Sequence, residues 1–348
     1  MKKFDFCIGN PPYMDQTLGD NDKFAPPVYD VFMDAAYQVS DRVAMITPGR
    51  FLFNAGATPK SWNEKMLNDK HFKVLMYETD TSRVFPNQAI TGGIAITYRN
   101  ATLDYGAVEV FSPYKELNSI RKKVESVLTG SVVDIAYSAY SYHLTQRLYD
   151  ENPHLLGKQS KGHDFDLKSN VFSTLNEVFC ATKGSDTDVK VLGRVGADRV
   201  FRWIKREYIQ APDNLDFYKV VLAGADGAAG TIGNPIPARI AGMPTVAYPG
   251  EASTESFSSL GKFSTREEAE ALMKYIKTRF TRTLLSVLKV TQNITPEKWK
   301  YVPLQNFSSS FDIDWSKSIA EIDQQLYKKY GLSDEEISFI ETHVKEMA

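Results

Sequence analysis

Two consecutive prolines close the first apolar stretch of this chain of 348 residues, where positions 4–13 read FDFCIGNPPY. Proline fixes its own φ and disfavours the helical conformation in the residue before it, so the backbone leaves this stretch extended. We therefore predict a strand over 4–8 that ends in a rigid turn. The side chains of that turn should stand at the carboxyl end of the strand.

The rest of the first hundred residues alternates apolar runs with a helical pattern. Apolar residues recur at helical spacing over 28–39, and the runs at 43–47, 71–78 and 92–100 have the composition of strands. A strand, a helix and a second strand form the βαβ unit of a parallel sheet. The pattern predicts part of a doubly wound α/β sheet in which 4–8 and 43–47 are buried strands.

The turn after the first strand carries the strongest chemical signal. The Asn10 side-chain oxygen and the Pro11 carbonyl are two rigid acceptors at a strand end, where α/β sheets place their ligands. Two adjacent acceptors suit an exocyclic amine, and the Tyr13 ring offers a face on which a base can stack. The alternative interpretation is a rigid turn that only caps the strand.

These residues resemble the catalytic motif of N6-adenine DNA methyltransferases from type II restriction-modification systems, the class with Asn-Pro-Pro-Tyr. The resemblance implies a catalytic segment of Asn10, Pro11, Pro12 and Tyr13 and S-adenosylmethionine as cofactor. Asn10 and Pro11 would bind the amino group of a flipped adenine and would also be cofactor-binding residues, and Tyr13 would stack on the base. The segment 83–100 is similar to the loop whose aromatic residue packs on the other face of the base, which here is Phe85. A core aromatic is the alternative for Phe85.

The cofactor site is expected to be incomplete. The family carries a glycine-rich cofactor loop and two acidic residues upstream of the catalytic motif, whereas nine residues precede Asn10 here. The glycine-rich stretch 223–235 lies in the wrong half of the chain, and we interpret it as a DNA-facing loop or tight turns. We therefore expect half of a split enzyme, a truncated or misassigned start, or a relic. The strand at 4–8 would then be an exposed edge that pairs with a second polypeptide.

Two basic segments are candidates for contact with double-stranded DNA. The formal net charge of −2 and the pI near 6.3 exclude a basic field over the whole protein, so any contact has to be local. Basic residues outnumber acidic ones over 188–208, where aromatics are interleaved, and over 274–300. Such patches suit phosphate and base contacts, and a solvated helix face is the alternative. The candidate DNA-binding residues are Arg194, Arg199, Arg202, Lys205, Arg206, Lys277, Arg279, Arg282 and Lys289.

The chain is predicted to have three parts. Residues 1–165 would be the C-terminal half of a methyltransferase catalytic domain, with a partial Rossmann-like sheet. Residues 166–307 would be a mixed α/β target-recognition domain that contains a long helix over 266–289. Residues 308–348 would be a short helical tail, in which Ser333 is the N-cap of the second helix.

The predicted function is site-specific N6-methylation of DNA adenine in a restriction-modification system. The alternative is a non-catalytic DNA-binding specificity subunit. An RNA or protein glutamine methyltransferase with the same tetrapeptide is disfavoured, because free protein substrates need no large recognition region. Only Cys7 and Cys180 occur as cysteines, and the five histidines lack paired metal spacing. We therefore expect a cytoplasmic protein without a metal or a membrane segment.

Overall fold

The computed structural model describes residues 3–15, 25–86, 90, 92–226, 232, 235–289, 291–308 and 312–347. The chain divides into two compact units, an N-terminal unit (Met1–Pro113) and a C-terminal unit (Tyr114–Ala348). Within the described residues the architecture is mixed α/β, with four sheets and nine α-helices, as predicted. The predicted boundaries at 165/166 and 307/308 concern functional parts and stay predictions.

In its described residues, the N-terminal unit contains one sheet and two α-helices. Its elements are β1 (Cys7–Gly9), α1 (Tyr29–Val39), β2 (Arg42–Pro48), α2 (Lys60–Leu67), β3 (Phe72–Glu78) and β4 (Ile94–Asn100). The strand order is β1-β2-β4-β3, and β1 is parallel to β2, which confirms the predicted strand, helix and strand. However, β4 lies between β2 and β3 and is antiparallel to both. The sheet is therefore mixed rather than purely parallel.

An aromatic cluster forms much of the core of the N-terminal unit. The Phe51 ring lies 5.2 Å from Trp62 and 6.3 Å from Phe72, measured between centroids. Tyr29 and Met33 of α1 are buried against the same cluster. Such aromatic pairs add to the free energy of burial, so the turn that carries Phe51 is held rigidly after β2.

The strand β1 is an edge strand, and the prediction that 4–8 is buried was wrong. Phe4, Phe6 and Ile8 are exposed, with Ile8 at 79%. Cys7 is the residue of β1 that packs against the core cluster. Among the described residues the strand has one neighbour, β2, so its other backbone edge is unpaired. This exposure does agree with the expectation of an open apolar edge.

The C-terminal unit holds the remaining elements. They are α3 (Lys115–Glu125), β5 (Ala136–Tyr137), β6 (His143–Leu144), α4 (Gln146–Glu151), α5 (Val171–Thr174), β7 (Val189–Val195), β8 (Asp198–Ile204), β9 (Ile209–Gln210), β10 (Tyr218–Ala223), β11 (Thr245–Ala247), β12 (Glu251–Ser253), β13 (Phe257–Phe263), α6 (Arg266–Lys277), α7 (Arg279–Leu288), α8 (Ile319–Lys329) and α9 (Asp334–His343). The sheets have the orders β11-β10-β13-β5, β12-β7-β8 and β6-β9. The helix α6 packs against β10, β11 and β13, and α7 contacts α8 and α9.

The long helix predicted over 266–289 is two helices. Thr278 has an extended ψ of 147° and its hydroxyl accepts a hydrogen bond from the Thr281 N–H. The Asp323 carboxylate accepts from the N–H groups of Arg279 (3.0 Å) and Phe280 (2.9 Å). These acceptors satisfy the donors of a new helix N-terminus, which is why the helix is interrupted there.

The other predictions for this unit divide into confirmed and untested ones. Ser333 is the N-cap of α9 and forms a capping box with Glu336, as predicted. Most of the glycine-rich stretch, 227–231 and 233–234, lies outside the described residues. Within the described ranges, every helix is too short or too polar to cross a lipid bilayer.

Candidate functional site

Several loops of the N-terminal unit leave the sheet at one edge. Strand pairing aligns Gly9 of β1 with Met45 of β2, and Pro48 at the end of β2 with Ile94 at the start of β4. Ile94 also pairs with Glu78 at the end of β3. The segments 10–13, 49–53 and 79–85 therefore all begin where β1, β2 and β3 end, on one side of the sheet. We call this side the catalytic edge, because it carries the predicted catalytic residues.

The predicted catalytic residues lie at this edge, where Asn10 and Pro12 are exposed and Pro11 and Tyr13 are half-buried. Asn10 follows β1 directly and its side chain is exposed. Within the described residues, neither the Asn10 amide nor the Pro11 carbonyl accepts a hydrogen bond. The turn itself is fixed, because the Val28 N–H donates to the Tyr13 carbonyl (3.3 Å). The site thus presents two free acceptors on a backbone that proline and this hydrogen bond hold in place.

The structure brings Tyr13 and Phe85 together. Their ring centroids are 6.4 Å apart and their planes are inclined by 72°, an edge-to-face contact. A base sandwiched between them needs parallel rings roughly 7 Å apart, which is two van der Waals spacings. One ring therefore has to rotate before a base can lie between the two.

The two rings are held differently. The Phe85 N–H donates to the Thr81 carbonyl (2.8 Å), in a turn whose start is capped by Asp80. Tyr13 is half-buried, and its hydroxyl has no hydrogen-bond partner in the described part of the chain. Burial raises the pKa of this hydroxyl, so Tyr13 is neutral at physiological pH.

Sequence reasoning missed Arg50 at the catalytic edge. Its stem lies against Gly56 and Gly92, which have φ values of +95° and +91°. A Cβ atom added at Gly92 would lie 2.1 Å from Arg50 Cγ, so that position accepts only glycine. Arg50 is exposed and has no ion-pair partner among the described residues. The sequence signal is the Gly49-Arg50 pair that directly follows β2.

A second arginine at this edge is already neutralised. Arg83 lies 3.5 Å from a Glu78 carboxylate oxygen and 3.4 Å from one of Asp80. Arg50 is therefore available to an anionic ligand, whereas Arg83 has its counter-charges within the protein.

The first basic segment divides into free and paired side chains. Arg194 of β7 and Arg199 of β8 are cross-strand neighbours, and each donates to a backbone carbonyl only. Arg202 likewise donates to the Phe201 carbonyl. Lys205 lies 3.3 Å from Glu151, and Arg206 is bound through two nitrogens to Asp216. The first three fit phosphate contact best, because none of them forms an ion pair with a carboxylate among the described residues.

The second basic segment is largely internal. Arg282 and Lys289 are each 1% exposed, and burial lowers the pKa of Lys289 to about 8. Arg279 donates to the Val344 carbonyl and pairs with Glu346, while Lys277 is half-buried. A phosphate cannot reach a side chain as buried as Arg282 or Lys289. We therefore leave this segment out of the proposed DNA contacts.

Comparison with known proteins concerns the segment that contains the catalytic edge. Residues 1–85 match the family model described as Eco57I restriction-modification methylase. That match includes Asn10, Tyr13, Arg50 and Phe85. The N-terminal segment is thus similar to restriction-modification methylases. No curated protein matches the chain.

Three solved structures are similar to the chain over most of its length. The type IIG restriction endonuclease BpuSI has 11% identity and a TM-score of 0.36, covering 93% of this chain and 48% of that one. The type IIL restriction-modification enzyme MmeI, in complex with DNA, has 9% identity and a TM-score of 0.34, covering 97% and 56%. A nuclease-deletion mutant of the type ISP restriction-modification enzyme LlaGI, with a DNA substrate mimic, has 10% identity and a TM-score of 0.27, covering 84% and 34%. The chain therefore spans between 34% and 56% of these proteins.

Proposed function

We propose that this chain transfers a methyl group from S-adenosylmethionine to N6 of adenine at a specific site in double-stranded DNA, as part of a restriction-modification system. The observation that carries the proposal is the pair of free, fixed acceptors at Asn10 and Pro11. They lie within the segment that matches a restriction-modification methylase family. An exocyclic amino group has two N–H donors, which two adjacent acceptors can bind at once.

The chemical role that we propose for Asn10 and Pro11 is to orient the amino group of adenine. Hydrogen bonds to both amino hydrogens direct the N6 lone pair away from Asn10 and Pro11, toward the methyl carbon. S-adenosylmethionine, when bound, would supply the methyl carbon that this lone pair attacks and would leave as the neutral thioether. One N6 proton then passes to water. No side chain has to act as nucleophile, so correct placement of the amine is the main contribution of the protein.

The cofactor fits this unit in part. Bound S-adenosylmethionine would supply an electrophilic methyl group beside Asn10 and Pro11. The stretch 4–8 exposes Phe4, Phe6 and Ile8, whose apolar side chains cannot form hydrogen bonds with a nucleoside. We therefore assign no residue to the nucleoside or carboxylate of the cofactor. A further protein segment that pairs with β1 would cover this apolar surface. A second polypeptide is one source of such a segment.

Tyr13 gives a test of base stacking. We expect Tyr13→Phe to keep methylation within about twofold, because the hydroxyl has no hydrogen-bond partner among the described residues. Tyr13→Ala should lower the methylation rate about tenfold or more, since stacking contributes roughly 1–3 kcal/mol per base. Rates of methyl incorporation into plasmid DNA measure both. Equal losses of the methylation rate in the two variants would instead show that the hydroxyl has a chemical role.

Arg50 gives a test of substrate contact at the catalytic edge. We propose that its unpaired guanidinium binds a DNA phosphate near the target adenine. Arg50→Ala should then slow methylation about tenfold, the order expected for one charge-assisted hydrogen bond. Arg83→Ala is the matched control and should stay within about twofold, because its charge is already paired. Thermal unfolding of the Arg50 variant should be unchanged, and a normal methylation rate would contradict the contact.

The proposed function is tested by identifying the product. The full chain is incubated with labelled S-adenosylmethionine and plasmid DNA, and the digested nucleosides are separated by mass spectrometry. The expected product is N6-methyldeoxyadenosine. A methylated cytosine would contradict the choice of adenine. DNA binding without methyl transfer would favour the second candidate, a non-catalytic DNA-binding specificity subunit, which the partial cofactor fit supports.

A further inference from the structure

A cleft in the C-terminal unit gathers arginine side chains. It has a volume of about 700 Å³, and its lining includes two carboxylates, Asp226 and Glu255, beside Tyr140, Arg194, Arg239 and Asn293. Arg199 lies directly beside it as the cross-strand neighbour of Arg194. The guanidinium carbons of Arg194 and Arg199 are each 5.4 Å from the centroid of the buried Phe257 ring. We call this feature the arginine cleft.

The charges of the arginine cleft are only partly compensated within the protein. Arg239 lies 2.5 Å from an Asp226 carboxylate oxygen, so one of the three guanidinium groups is paired. Arg194 and Arg199 have carbonyl partners only, among the described residues. Burial lowers the pKa of Arg199, the positive charges of Arg194 and Arg239 lower it further, and the negative charge of Asp226 counteracts part of this. Holding like charges this close costs folding free energy, which a bound anion would offset.

Neutral donors stand at the same place. Tyr140 is 62% exposed, and the Asn293 side chain is exposed as well. Neither side chain has a hydrogen-bond partner in the part of the chain that is described. Guanidinium groups bind phosphate oxygens through paired N–H donors, and hydroxyl and amide groups add single donors. This combination suits one tetrahedral anion with several oxygens.

We propose that the arginine cleft binds a phosphodiester group of the DNA backbone, with Arg194 and Arg199 as its principal donors. The inference rests on the proposed function, since it takes DNA as the ligand. A contact of this kind fixes the position of the duplex and does not depend on base sequence. It therefore differs from base reading, which would respond to the sequence of the duplex.

The experiment measures DNA binding by the full chain as a function of salt. Fluorescence anisotropy is recorded with two duplexes of unrelated sequence for the unaltered protein, Arg194→Gln, Arg199→Gln and the double variant. Each single substitution should weaken binding roughly tenfold at low salt. Each should also reduce the slope of log K against log salt by about 1, equally for both duplexes. The double variant should reduce it by about 2.

Arg266→Gln is the matched control. Arg266 is an exposed arginine of the same unit, but it is paired with Glu270 at 2.7 Å, so its removal should leave the slope unchanged. Arg199→Gln relieves repulsion between like charges but also removes the hydrogen bond to the Met243 carbonyl and the contact with the Phe257 ring, so the unfolding temperature is measured for every variant. A lower unfolding temperature with normal DNA binding would show a structural role and overturn the proposal.

Other outcomes of this experiment also test the proposed phosphate contact. Unchanged slopes in both variants would overturn the phosphate contact, and a loss confined to one duplex would replace it with base reading. Inorganic phosphate that competes at equal strength with DNA would assign the cleft to a free anion. If the unaltered chain binds and methylates DNA while these variants behave normally, only this inference fails. If the unaltered chain binds no DNA, the proposed function fails with it.

Discussion

The Asn10→Ala variant should lose methyl transfer by about 100- to 1,000-fold, the order seen when one preorganised hydrogen-bonding group is removed from a reacting centre. The Asn10 amide is exposed and has no hydrogen-bond partner among the described residues, so its removal should not weaken the fold. DNA affinity should stay close to that of the unaltered protein, because a single neutral acceptor contributes little to binding a polyanion.

Asn68→Ala is the control for this variant. Asn68 is an asparagine of the same unit whose amide donates to the Glu64 carbonyl (2.8 Å) at the end of α2. Its removal should leave the methylation rate unchanged. The assay is the yield of N6-methyldeoxyadenosine against time, with DNA binding measured on the same preparations. A normal rate for Asn10→Ala would rule out the proposed orientation of the amine.

The Arg282→Met variant should lower the free energy of unfolding by about 3–5 kcal/mol, the cost of removing one partner from a buried charged network. Its guanidinium donates to the carbonyls of Lys277, Thr278 and Lys345, and the side chain is 1% exposed. Methionine fills similar space but leaves these buried acceptors unpaired. DNA binding of the folded fraction should be unchanged, since no phosphate reaches this position.

The pH dependence of this loss has a defined sign. Burial raises the pKa of Asp323 to about 6, and the charge of Arg282 counteracts part of that rise. Without Arg282 the pKa of Asp323 rises further, so keeping the carboxylate charged at pH 7 costs more. The destabilisation should therefore shrink as the pH falls from 7 to 5, where Asp323 binds a proton in the folded state.

Urea unfolding monitored by tryptophan fluorescence measures the effect, because Trp203, Trp299 and Trp315 all lie in the C-terminal unit. Arg266→Met is the control, since it removes an exposed arginine from the same unit. Equal unfolding free energies for the Arg282 variant and the control would contradict the structural role of Arg282.

The strand, turn and helix around Asn10 could be predicted from local sequence. Two prolines restrict the backbone whatever the surroundings, and the helical spacing over 28–39 needs no tertiary information. The antiparallel position of β4 could not be predicted, because strand direction depends on pairing between distant segments. The exposure of Ile8 was missed for the same reason, because the composition of an apolar segment does not show whether its strand lies at the edge or in the centre of a sheet.

Charge counting failed where side chains turn inward. The segment 274–300 has the composition of a DNA-binding surface, yet Arg282 and Lys289 are buried. A guanidinium group can satisfy its donors on carbonyls supplied by distant residues such as Lys345, which a one-dimensional charge count does not register. Arg50 was overlooked because its accessibility depends on Gly92, far away in the sequence.

The contact between Tyr13 and Phe85 has a consequence for the choice of base. While no base is bound, each ring shields part of the other from water. A base that enters between the rings must first separate them. It would then cover one face of each ring, in place of the edge-to-face contact between them. We expect a purine to compensate for that separation better than a pyrimidine, because its larger ring system covers more of each aromatic face. The closed pair of rings would thus disfavour cytosine and thymine on size alone, before any hydrogen bond is formed.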